Sequence, residues 1–124
     1  LKIGREKFYK LIKSKIGINN IKNYYGLIEQ IGSIFFECNC GYFIATNFSD
    51  IIIRDADFNV CGEGKKGLIQ LFSLLPTSYP GHSILTEDIG EIVNDSKCNC
   101  YGQGTRFRVH GRLKEAELRG CSNI

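Results

Sequence analysis

Apolar residues first recur at helical spacing. Phe8, Leu11, Ile12 and Ile16 fall on one face of the segment 5–16, and Gly17 stands where a helix stops, which predicts an amphipathic helix over 5–16. Beyond it the period shortens. Residues 18–25 form a short extended candidate that ends on Tyr24-Tyr25 and the hinge-like Gly26, and the apolar run 31–37 reads as a buried strand. Further short strands are predicted at 42–46, 50–54, 67–74, 83–86, 90–93 and 105–110, separated by connections rich in Asp, Asn, Gly and Pro. The pattern predicts an α+β, mainly β fold: a small, distorted β-barrel-like or sandwich unit with an N-terminal helix at its edge. One domain over 1–124 accommodates it, with the helix at 5–16, a β-rich body at 31–112 and a tail at 113–124.

Composition supports a globular chain: 43% of the 124 residues are hydrophobic and 23% are charged. No apolar run approaches the roughly 20 residues that span a bilayer, and Leu1–Arg5 has no signal-peptide core, so a cytoplasmic protein without a membrane partner is expected. The formal charge of +3 is uneven: Lys2, Arg5, Lys7, Lys10, Lys13, Lys15 and Lys22 face one acid, Glu6, in the first 22 residues. Such a helix can meet nucleic acid or an anionic surface, but a solvated surface face is the commoner outcome. The chain holds no methionine and begins within what reads as a helix lead-in, which suggests a piece of something longer.

The six cysteines stand as Cys38 and Cys40, Cys98 and Cys100, with Cys61 and Cys121 alone. Two Cys-x-Cys knuckles beside glycines offer four thiolates to one tetrahedral, structural zinc; ordinary thiols and disulfides are the other readings. Asp55, Asp57 and Asn59 begin like a calcium loop, but Val60 and Lys66 stand where glycine and a bidentate glutamate are needed. Gly62-Glu63-Gly64-Lys65-Lys66-Gly67 lacks the ending of a phosphate-binding loop and reads as a hairpin turn. His82 and His110 have no acid or serine partner that spacing identifies.

Tyr25-Gly26-x-x-Glu29, Thr86-x-Asp88 and Gly111-Arg112 follow one another in an order and spacing that resembles the later motifs of adenylate-forming enzymes, the acyl-CoA synthetases and luciferases. The stretches 75–82 and 111–122, the latter ending Gly120-Cys121-Ser122, look more closely like the acyl-protein synthetases of the LuxE type, and the resemblance runs from about Phe8 to Ser122.

That resemblance implies activation of a carboxylic acid with ATP to an acyl-adenylate, followed by transfer to a thiol. Glu29 then matches the glutamate on the Mg2+ and phosphate side, and Tyr25, beside Gly26, the aromatic near the adenine of ATP or AMP. Thr86 and Asp88 match the adenylate-binding strand end, with Asp88 on the ribose hydroxyls, and Arg112 the Gly-Arg arginine near the ribose and hinge. Cys121 matches the acyl-accepting cysteine. In relatives of the phenylacetate-CoA ligase type, a Cys-x-Cys ahead of the Gly-Arg motif belongs to a metal site, the place of Cys98 and Cys100.

Two departures bear on this picture. Glu87 occupies the position of a glycine before the ribose-binding aspartate, and the 124 residues contain no Ser/Thr-Gly-rich, lysine-bearing ATP loop. The chain is therefore expected to be the C-terminal part of such an enzyme, inactive alone, with an N-terminal portion carrying the ATP loop as its partner. An acyl-acceptor or reductase protein is a further expected partner. The alternative is a small zinc-stabilised module that binds nucleic acid or protein without catalysis. Phe8 and Tyr9 are the only aromatic residues among the lysines of the basic helix, too few for an extended stacking surface, which argues against nucleic acid.

Overall fold

The computed structural model describes residues 3–100 and 103–114, without the side chain of Arg5. Helix α1 spans Arg5–Ile16, as its apolar spacing predicts. Gly17 ends it in a left-handed conformation (φ 77°) and returns its N–H to the Lys13 carbonyl at 3.0 Å, a turn that glycine adopts without a Cβ penalty.

Among the described residues seven strands follow, all paired antiparallel: β1 Tyr24–Tyr25, β2 Phe35–Phe36, β3 Phe43–Ile44, β4 Ser49–Arg54, β5 Gly67–Ser73, β6 Ser83–Ile92 and β7 Arg106–Arg112. β1 and β2 form a small ribbon, and the other five make a sheet in the order β3-β7-β6-β5-β4. The mainly β expectation is met; the closed barrel is not. β3 and β4 lie at opposite edges yet are joined only by residues 45–48. Strands about 4.8 Å apart would place the edges of a flat five-stranded sheet about 19 Å apart, beyond the reach of that link at about 3.5 Å per residue. The sheet must therefore roll. It stays open because β3 is two residues long and the next amide, Ala45, donates to Thr105 beside β7, so no ladder joins β3 to β4 among the described residues.

Two other strand predictions change. The run 31–37 contributes only Phe35–Phe36 and a bridge at Glu37, because Ile31 and Ile34 face solvent and Ile28–Gln30 coils into a single 3₁₀ turn. The separate strands 83–86 and 90–93 merge into β6. An irregularity replaces the expected break: between its pairings with Leu68 and Gln70, β6 runs from Ile89 to Leu85, four steps against two on β5. The additional residues of this bulge include Glu87 and Asp88.

The core gathers on the inner face of the rolled sheet. Ile51, Ile53, Ile69 and Leu71 come from alternate positions of β4 and β5, and Phe35, Phe43 and Phe107 stack from β2, β3 and β7. Phe35 meets Phe107 edge-on at 5.3 Å, and Tyr25 packs on Phe35, Phe43 and Phe107 at about 6 Å. This aromatic cluster fixes the ribbon to the sheet. Among the described residues no helix is long and apolar enough to cross a membrane.

Candidate functional site

Two constellations lie at opposite ends of the β6–β7 hairpin. At its open end, the bulge of β6 presents Glu87 and Asp88, and its backbone is satisfied from within. The buried Thr86 hydroxyl donates to the Ile69 carbonyl at 2.8 Å and accepts the Asp88 amide at 3.1 Å. Thr86 thus sets the direction in which Asp88 leaves the sheet.

A second bulge lies opposite. β7 pairs Val109 with Gly90 but Gly111 with Ile89, so His110 is passed over and Arg112, rather than Gly111, faces Asp88. Gly111 makes this possible by taking φ 132°, a conformation that side chains rarely adopt, in space that is open around it. The Gly-Arg pair in the sequence is therefore a register device, in which the glycine supplies the irregularity and the arginine occupies the displaced position.

Four of the site residues read from the sequence meet here, with Tyr25 and Arg112 joining Thr86 and Asp88. Tyr25 Oη donates to Asp88 Oδ2 at 2.7 Å, and the Arg112 Nε approaches Asp88 Oδ1 at 3.9 Å. A second guanidinium nitrogen of Arg112 lies 3.4 Å from Glu87. Burial, then the hydrogen bond to Asp88, pushes the Tyr25 phenol far above its ordinary range, so it acts here as a fixed donor. Chemically the cluster offers a partly buried carboxylate with an aromatic face and a guanidinium beside it, a set suited to hydroxyl and anion recognition. Glu29 is not joined to it. It is exposed in the 3₁₀ turn, and no hydrogen bond or ion pair links it to Asp88 among the described residues. Gly26 lies just after β1, where a Cβ would stand 3.1 Å from the Ser33 carbonyl. Cys121 lies outside the described residues.

At the closed end of the hairpin the four paired cysteines converge. The Sγ atoms of Cys38, Cys40, Cys98 and Cys100 all lie within 4.8 Å of one another. Cys38 to Cys98 is 3.8 Å and Cys40 to Cys100 is 3.6 Å. All five described cysteines are free thiols. A tetrahedral zinc with bonds of about 2.3 Å to sulfur spaces its ligands about 3.8 Å apart, so this set can hold a metal ion with little movement. The first knuckle is the β2–β3 turn. Cys38 donates its N–H to the Tyr42 carbonyl at 2.8 Å, Gly41 donates to the Cys38 carbonyl at 2.9 Å, and Gly41 takes φ 83°. Lys22 reaches the side-chain oxygen of Asn39 between the two cysteines. The second knuckle opens at Asp95, whose carboxylate accepts the Lys97 N–H and whose carbonyl accepts the Cys98 N–H, both at 3.0 Å.

The thiols titrate unequally. Hydrogen bonding to Cys98 and Cys100 pushes Cys40 up to about 12, whereas the backbone N–H of Cys40 draws Cys100 down to about 7. Cys98 is buried and Cys40 is exposed.

Spacing did not identify the groups beside the cysteines. Tyr42, 7% exposed, donates to Asp95 Oδ2 at 2.8 Å, and Arg108 lies over the Tyr42 ring at 4.8 Å while donating to its hydroxyl at 3.3 Å. The Asp95 bond pushes the Tyr42 phenol up, and the same bond draws the Asp95 carboxyl down. Only the adjacency of Tyr42 to the first knuckle, and an aspartate three residues before Cys98, hinted at this in the sequence.

The acyl-protein synthetase (LuxE) family model matches residues 1–124. Neither the search of curated proteins nor that of solved structures returned a match.

Proposed function

The chain belongs to the acyl-protein synthetase (LuxE) family, and from that premise we propose that it supplies the ribose-facing part of an ATP-dependent carboxylate-activating site. The convergence of Tyr25, Asp88 and Arg112 at the open end of β6–β7 carries the reading. An acid oxygen attacks the α-phosphorus of ATP, pyrophosphate leaves, and the mixed anhydride so formed gives its acyl group to a thiolate, with AMP as the second product. In this scheme Asp88 accepts the ribose hydroxyls in exchange for its bond to Tyr25. The Tyr25 ring lies along the base, and Arg112 faces the ribose and the developing negative charge. Thr86 acts through Asp88 by holding the bulge.

Glu29, exposed and near β1, is assigned to Mg2+ on the phosphate side. The loop that cradles the β- and γ-phosphates belongs to a separate N-terminal portion, joined or docked, and Cys121 is the acyl acceptor. The cysteine centre is assigned to zinc in a structural role, since four thiolates fill a tetrahedral shell and leave no position for substrate.

The test is carboxylate-dependent exchange of pyrophosphate into ATP. Exchange is expected when the chain is combined with the portion bearing the ATP loop, and Asp88→Ala should reduce it by at least about tenfold, the loss of one charge-assisted contact. Exchange by the 124-residue chain alone would overturn the divided site, and unchanged exchange in Asp88→Ala would overturn the role of the aspartate.

A further inference from the structure

Four thiols on two separate turns bind a metal more tightly when something other than the metal holds the turns at the right distance. Each knuckle is short, only Cys98 of the four thiols is buried, and backbone bonds within each turn fix its shape without fixing its distance from the other. Beyond the contacts made by the cysteines themselves, a set of side-chain contacts crosses between them. Tyr42 directly follows the first knuckle at Gly41, and its hydroxyl donates 2.8 Å to Asp95, which opens the second. Arg108 of β7 covers this bond: its guanidinium lies 4.8 Å from the centre of the Tyr42 ring and 3.3 Å from the hydroxyl, and Glu91 holds its other side at 3.4 Å. We propose that Tyr42, Asp95 and Arg108 form a clamp that holds the two cysteine knuckles at metal-binding separation before the ion arrives. This rests on the assignment of a metal to the four cysteines.

The chemistry favours this arrangement for two reasons. A carboxylate held simultaneously by a phenol and by the Lys97 backbone N–H has one orientation, and the turn it opens inherits that orientation. A tetrathiolate centre also carries net negative charge once a divalent ion is bound, and the Arg108 guanidinium adds a cation without being a ligand. Outer groups that orient metal ligands contribute about 10–100-fold in affinity. Tyr42 and Asp95 meet at the closed end of the β6–β7 hairpin, whereas Tyr25, Asp88 and Arg112 meet at its open end, so the two sets can be tested separately.

The experiment compares the parent with Tyr42→Phe, Asp95→Ala and Asp95→Asn, using zinc competition against a chromophoric chelator and thermal unfolding of each metal-free protein. Tyr42→Phe and Asp95→Ala should bind zinc about 10–100-fold more weakly. Asp95→Asn keeps one acceptor oxygen, for the Lys97 N–H, but turns an amide NH2 toward the Tyr42 hydroxyl, so its affinity should fall between those of the parent and Asp95→Ala. Cobalt spectra should show the same four-sulfur ligand field in all four proteins, and metal-free Tyr42→Phe should lose less stability than the variant loses in zinc-binding free energy, since only one hydrogen bond is removed. Parent-like zinc affinity in Tyr42→Phe overturns the clamp and leaves the metal assignment standing. A loss of affinity matched by an equal loss of metal-free stability makes the role one of folding and overturns it too. A parent that holds no zinc overturns the metal assignment and the clamp with it.

Discussion

Tyr25 Oη and Asp88 Oδ2, 63 positions apart in the chain, lie 2.7 Å apart in a partly buried hydrogen bond. It joins the β1–β2 ribbon to the bulge of β6, and Tyr25 presses on Phe35, Phe43 and Phe107 as it does so. The phenol therefore serves both packing and the candidate site.

A dependence of stability on alkaline pH follows from that bond. Tyr25 is raised above its ordinary value by burial and then by Asp88, so the unfolded chain releases this proton first. Below about pH 10 the contribution is complete; above it the unfolded state binds fewer protons than the folded one, and stability falls by up to about 1.4 kcal/mol per pH unit for one group. Tyr42 is raised as well and adds in the same direction. Denaturant unfolding from pH 8 to 11 should show the decline, and Tyr25→Phe should make it shallower while costing about 1 kcal/mol at neutral pH. An unchanged slope in Tyr25→Phe would mean that its titration does not govern the alkaline limb.

The helix and the middle strands were legible because their apolar residues kept one period: α1 at 5–16, and β4 and β5 within a residue of the expected 50–54 and 67–74. The rolled sheet was not, because β3 and β4 are adjacent in sequence and reveal their separation only through pairing with β7 and β5. The polar pair Glu87-Asp88 read as a break between two strands; it is a bulge within one strand, stabilised by the Thr86 hydroxyl. The Cys-x-Cys spacing grouped four thiols that the fold does bring together. Which thiol neighbours which, and the Tyr42–Asp95 contact, depend on the β2–β3 turn meeting the β6–β7 loop, a long-range event with no local signature.

Metal removal should loosen this junction. The cysteine centre links the β2–β3 turn to the β6–β7 loop, and a bound ion stabilises the folded state by mass action, about 2.7 kcal/mol at a hundredfold excess over its Kd. Zinc-loaded protein should unfold several degrees higher than chelated protein, and Cys98→Ser should abolish the difference. Scans of both proteins with and without added zinc check this; a zinc-independent midpoint in the parent would exclude a stabilising metal.

Two glycines near β7 should respond to alanine for different reasons. At Gly111 a Cβ meets nothing within 4 Å, but φ is 132°, so Gly111→Ala should cost about 1–3 kcal/mol through backbone strain and shift Arg112 relative to Asp88. At Gly104 a Cβ would stand 2.0 Å from the backbone oxygen of Ala45, so the loop itself must move, at a cost of about 1–3 kcal/mol or more. Gly104→Ala should also loosen the Ala45–Thr105 hydrogen bond, raising amide exchange at Ala45. Wild-type-like stability in both variants would show that the β7 register tolerates side chains at these points.

The charge of Glu87 supplies the last test, one that bears on the proposed nucleotide role. Its carboxylate lies 3.4 Å from the Arg112 guanidinium, with both side chains more than a third exposed, so the ion pair itself contributes less than about 1 kcal/mol to stability. Glu87 nevertheless competes with an incoming anion for Arg112 and repels it directly. Neutralising Glu87 while keeping its shape removes both effects without loosening the bulge, whose Leu113 N–H to Glu87 carbonyl bond at 2.9 Å is backbone only. Glu87→Gln should therefore leave the unfolding midpoint nearly unchanged and tighten AMP binding by a few fold at low ionic strength, with the gain shrinking as salt screens the exposed charges. Calorimetric titration of AMP at two salt concentrations measures it. Equal affinity in parent and variant at low salt would separate Arg112 from the phosphate and ribose of the nucleotide and leave its pairing with Glu87 and Asp88 a feature of the fold alone.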